Sequence, residues 1–141
     1  RGMPLMLYVF SDGSISASGQ VDSTTDGRGK FMWTSDNQST AASFFLVYNP
    51  GGRPDLVTTG TGGAARHQQI GYFRADASVE TASSPAAGNV NLLVETVLLN
   101  YMALHGEQGQ FATRFPRHGL GNAALQDSLI AFNPIVSGRI G

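Results

Sequence analysis

The chain has 141 residues, a net charge of −1 and no cysteine. It is the size of one domain, large enough to bury about two-thirds of its unfolded surface without a metal or disulfide staple. The missing cysteines exclude disulfides and thiolate metal sites. No run of about 18 apolar residues exists to span a membrane, and the nine Lys and Arg are scattered. Nucleic-acid binders instead carry a basic stripe.

Charged residues make up only 13% and glycines number 18, a sheet-and-turn composition rather than that of a charged helical bundle. In chain order, Leu5 to Phe10 is apolar, aromatic and β-prone; it is too short, and lacks the basic lead, to be a signal peptide. Asp12-Gly13 suits a tight turn, and Ser14 to Val21 reads as the returning strand of an N-terminal hairpin. Asp22 to Lys30 is a polar loop, Phe31 to Thr34 a short strand and Ser35 to Thr40 another loop. Ser43 to Tyr48 is the clearest strand, ended by the breakers Asn49-Pro50-Gly51-Gly52. Short strands follow at Asp55 to Thr59 and Gln69 to Ala77. Strands and turns recurring this often predict an antiparallel sandwich or barrel. No internal repeat or composition break marks a second domain, so residues 1–141 read as a single β-rich domain, a fragment of a longer chain.

Val90 to Leu104 admits two readings. Eleven of its 15 residues are apolar. As a helix, Val90, Leu93, Val94, Val97, Leu98, Tyr101 and Leu104 form one stripe, with Asn89 placed to cap it and Gly106 to end it. As a strand, Val90, Leu92, Val94, Leu98, Met102 and Leu104 line one face, interrupted only by Thr96 and Asn100. Periodicity favours helix slightly; the strand-rich context and the turn at Pro85 to Gly88 favour strand, which is the reading adopted. Further on, Asn122 to Leu129 reads as a short helix, and Leu129 to Phe132 with Ile135-Val136 as a final strand interrupted at Pro134.

Reactive constellations are few. His67, His105 and His118 lie near glycine or arginine, and no Gly-x-Ser-x-Gly elbow accompanies them. Gly60-Thr61-Gly62-Gly63-Ala64-Ala65 matches a dinucleotide fingerprint, with Glu80 beyond it, but the residues after it carry no helical stripe and reach Gly71 almost at once. The loop aspartates Asp22, Asp26, Asp36 and Asp55 could ligate calcium through oxygen, without EF-hand spacing. Asn37-Gln38-Ser39 is a glycosylation sequon. Trp33, the single tryptophan, sits beside the loop Ser35 to Thr40. A core role is the ordinary reading for it, and a sugar-stacking or partner-anchoring role the functional one. The candidate ligand or receptor contacts are therefore Trp33, Asp36 and Asn37. No catalytic group, cofactor or metal is expected.

The low charge, the Gly/Ser/Thr/Ala loops, the strand Ser43 to Tyr48 and the run Ser83-Ser84-Pro85-Ala86-Ala87-Gly88-Asn89-Val90-Asn91-Leu92-Leu93-Val94-Glu95 together resemble the protruding, or spike, domains of small non-enveloped RNA-virus capsid proteins. That resemblance implies a mainly β fold, an antiparallel β-sandwich or jelly-roll-like β-barrel with at most one or two short helices. It also implies a structural place on the virion surface, self-association as dimer or trimer, and contact with a host receptor or glycan, with no nucleic acid bound by this segment. The alternatives are an extracellular carbohydrate-binding or adhesin module, separable by the effect of Trp33→Ala on sugar affinity, and a small esterase-like hydrolase, separable by serine-directed labelling.

Overall fold

The computed structural model describes residues 2–10, 17–33, 43–58, 85–86 and 89–136. Four strands come first: β1 (Leu5–Phe10), β2 (Ala17–Asp22), β3 (Lys30–Trp33) and β4 (Ser43–Tyr48). β1 pairs with β4, antiparallel, from Leu5 opposite Tyr48 to Phe10 opposite Ser43. β2 pairs with β3, with a register shift between Ala17 and Val21. The expected N-terminal hairpin is therefore corrected: β1 bypasses the serine- and glycine-rich strand that follows it. Cross-strand side-chain pairs stabilise a sheet, and β4 offers β1 an apolar partner at nearly every rung, which β2 does not.

Between β2 and β3 the chain turns within itself. The Asp22 carboxylate accepts from the Thr24 N–H at 2.9 Å and the Thr24 hydroxyl at 2.7 Å. That hydroxyl in turn accepts from the Gly27 N–H at 3.1 Å.

Residues 90–104, read from the sequence as a strand, are a helix, α1 (Val90–Leu104). Both ends carry strong local signals. The Asn89 side chain accepts from the Leu92 N–H at 3.1 Å, meeting one of the unpaired first-turn donors. At the far end the Gly106 N–H donates to Ala103 O and the Glu107 N–H to Met102 O, each at 2.9 Å, the paired bonds of a Schellman stop. Gly106 sits at φ +72°. Gly106→Ala is therefore expected to lose about 1–2 kcal/mol to left-handed strain. A methyl there meets Pro134 at an ordinary 3.7 Å, so strain and not collision sets the cost. Urea unfolding checks this against Gly109→Ala, whose methyl meets nothing within 4 Å and whose stability should not fall.

After α1, a 3₁₀ turn (Gln108–Gln110) runs into α2 (Phe111–Arg114), and α3 (Ala123–Ser128) follows. Asn122 caps α3 through the Leu125 N–H at 3.0 Å, as its sequence indicates. The core lies in this half: Leu99, Met102 and Ala103 of α1 meet Phe111, Leu120, Leu129 and Ile130, with Val57 and Leu92 against them.

The segment after α3 ties the pieces together. Ala131 O accepts from the Val57 N–H, and Asp55 O from the Asn133 N–H, each at 2.9 Å. Leu56 bridges Phe132, and the Phe45 ring of β4 meets the Phe132 ring at 5.8 Å, edge to face. Ile135 and Val136 both donate to Leu104 O at the end of α1. Where strands were expected at Asp55 to Thr59 and at Leu129 to Phe132 with Ile135-Val136, the described residues of the two segments meet in that Leu56–Phe132 bridge; Thr59 and Gln69 to Ala77 lie outside the described residues.

The architecture is consequently not a β-sandwich, barrel or jelly roll: among the described residues it is two two-stranded sheets with three α-helices and a 3₁₀ turn. The single β-rich domain becomes a mixed one whose core is built on α1. The physical reason lies in Thr96 and Asn100. In a strand they would break a buried face. In the helix the Thr96 hydroxyl donates to Leu92 O at 2.7 Å and the Asn100 amide to Thr96 O at 2.9 Å, so both enter the core satisfied.

Candidate functional site

Of the residues singled out from the sequence, Trp33 closes β3, its backbone opposite Ala17. Asp36 and Asn37 lie outside the described residues, as do the sequon, His67 and the Gly60–Ala65 loop. The structure therefore brings none of them together into a described site.

Several other polar groups are engaged within the fold, while the buried Gln108 Oε1 has no hydrogen-bond partner among the described residues. The Thr24 hydroxyl, and after it the Thr24 N–H, hold the Asp22 carboxyl below its ordinary value. His105 is the C-cap of α1, with its ring 4.9 Å from that of Tyr101. His118 accepts at Nδ1 from the Leu120 N–H at 3.2 Å. Its ring lies 5.3 Å from Phe111. The buried Gln126 donates to Gly121 O at 2.9 Å and stands 3.4 Å from His118 Nε2. The Glu95 carboxylate accepts from the Gly119 N–H at 2.8 Å. Gly119 permits that approach, since a Cβ there would meet Leu92 Cδ2 at 2.5 Å. These bonds lace the loop between α2 and α3 onto α1. They set no hydroxyl beside a base, as nucleophilic catalysis demands. Glu107 and Arg114 form an exposed ion pair at 3.1 Å. Among the described residues, no three His, Asp or Glu side chains lie together as a metal site. No helix among them is long and apolar enough to cross a membrane.

Two apolar faces stand out on the described surface. On the sheet, strand alternation puts Leu5, Leu7 and Val9 on one side. The register sets them against Tyr48, Leu46 and Phe44. All six are 38–58% exposed, which makes three complete apolar rungs open to solvent. The opposite side, with Met6, Tyr8, Phe45 and Val47, is half-buried. On α1, Val90, Val94, Leu98 and Tyr101 are 38–68% exposed.

The sheet face was within reach of the sequence, because Leu5–Phe10 and Ser43–Tyr48 are apolar at nearly every position and a two-stranded sheet covers only one side. The helix face was seen as a stripe, but amphipathic patterning assigns such a stripe to the core. Continuous apolar faces of this kind on a folded chain mark contact surfaces.

No family model, curated protein or solved structure matches the chain.

Proposed function

We propose that this chain is a structural, non-catalytic component that works by contact, joining further copies of itself, as a surface subunit of a virion shell does. The observation that carries the reading is the open three-rung face of β1 and β4. Six apolar side chains stand there about half exposed. Complete burial of such a side chain contributes about 1.5–3 kcal/mol, so each has roughly 1 kcal/mol still to gain. Two copies meeting face to face gain about 12 kcal/mol, against an association cost of roughly 4–15 kcal/mol. The balance places self-association in the micromolar range or weaker, which suits a unit that assembles through many repeated contacts. The low charge of the chain supports the same reading.

Sedimentation of the 141-residue chain tests it. The wild type should form a reversible oligomer by about 100 μM. Leu7→Lys combined with Leu46→Glu puts two opposite charges side by side in register, which keeps the sheet paired while wetting its outer face. This variant should keep its circular dichroism and lose the sheet-face contact, weakening association. A wild type that stays monomeric overturns the reading.

A further inference from the structure

The open face of β1 and β4 is uneven across its width. Its β1 row, Leu5, Leu7 and Val9, is wholly aliphatic, whereas its β4 row, Tyr48, Leu46 and Phe44, carries an aromatic ring at each end. The register sets the two rows rung against rung, about 4.8 Å apart. All six side chains stand partly exposed, so the face presents a low row beside a high one.

Whatever covers such a face must be high where it is low. Stacked sheets lie about 10 Å apart. Their inner side chains fill that gap when large residues meet small ones. A second copy carries the required relief, with the same distance between rows and the same spacing of rungs.

Two rotations bring a second copy face to face. With the two-fold axis across the strands, β4 lies over β4 and β1 over β1. Tyr48 then meets the second copy's Phe44, and those rings hold the sheets apart while the aliphatic rows face each other over a gap. With the axis along the strands, β1 of each copy lies over β4 of the other. Leu5 then meets Tyr48, Leu7 meets Leu46 and Val9 meets Phe44, each contact occurring twice. Low row meets high row along the whole face, in the aligned arrangement of packed sheets.

The geometry points to the second arrangement: β1 of one copy covers β4 of another, about a two-fold axis parallel to the strands. The inference rests on the self-association proposed above and names its pairing. Leu7→Lys with Leu46→Glu in one chain still weakens this pair, because it encloses four charges where leucines packed.

Sedimentation of the full 141-residue chain tests the pairing with charges at one end of the face. Leu5→Lys and Tyr48→Glu each change an exposed side chain, so the fold is retained, which circular dichroism checks. Alone, each sets an unpaired charge against an apolar row, and its self-association constant should fall at least about tenfold. Mixed in equal amounts, the two variants should associate at least about tenfold more tightly than either alone, because the introduced lysine of one copy faces the introduced glutamate of the other. Leu5→Lys mixed with Phe44→Glu should show no such recovery, since those positions lie at opposite ends of the face.

Recovery at least as strong with Phe44→Glu, or absent from both mixtures, overturns the pairing. If the single variants are weakened all the same, the sheet-face association stands without it. Single variants that associate like the wild type, or a wild type that is monomeric, overturn both.

Discussion

Truncating Phe111 to alanine is expected to destabilise the domain by roughly 3–5 kcal/mol, the range for a fully buried phenylalanine. That is a large share of the roughly 5–15 kcal/mol that holds a domain folded. Phe111 is completely buried and among the largest side chains of the core. It is touched from its own side by Phe115, with ring centres 5.1 Å apart, and across the loop by the His118 ring.

The site cannot easily collapse on the space left behind. The loop carrying His118 and Leu120 is held to α1 through Glu95 and Gly119, and the facing surface is the backbone-tied helix itself. Urea unfolding should show the midpoint fall with the slope unchanged, as for a loss of stability without a change in the surface exposed. A loss under about 1 kcal/mol would mean that the cluster does not hold this half of the chain together.

Asn100→Leu is expected to act more selectively and almost as strongly. The Asn100 amide donates to Leu129 O at 2.9 Å, and its carbonyl accepts from the Ala131 N–H at 2.9 Å, both buried. Leucine matches the volume but leaves that carbonyl and that N–H without partners. Each orphaned group costs about 1–3 kcal/mol, and the extra apolar burial offsets part of the sum, so a net loss of about 2–4 kcal/mol is expected.

The loss should be concentrated in residues 129–136, the segment that also holds Val57 and the end of α1. Hydrogen exchange separates this outcome from a global effect. The Ala131 and Asn133 amides should exchange faster in the variant at a temperature where α1 remains protected. Uniform acceleration along the chain would instead assign Asn100 to general packing.

These two residues also show what could be read without coordinates. The apolar runs Leu5–Phe10 and Ser43–Tyr48 specify strands locally, because their β-branched and aromatic residues suit a pleated surface, and both strands occupy the expected residues. Asn89, Gly106 and Asn122 carry their capping signals within a few residues of chain, so the helix ends are local facts too. The choice between helix and strand for 90–104 is different in kind. Both readings bury about the same apolar side chains, so hydrophobic pattern leaves them nearly balanced. Of the candidate contacts, Trp33 ends β3, and Asp36 and Asn37 lie outside the described residues.

Local chemistry by itself determined where β1 and β4 lie, where helices can start and stop, and that the chain would be rich in apolar residues and poor in charge. Tertiary structure decided that β1 pairs with β4 and which side of α1 faces the core. Each of those outcomes turns on partners far along the chain. Leu129 and Ala131 reach Asn100 across 29 and 31 positions. With those bonds made, burying Thr96, Asn100 and Leu99 is favourable, and Val90, Val94, Leu98 and Tyr101 of α1 are left exposed.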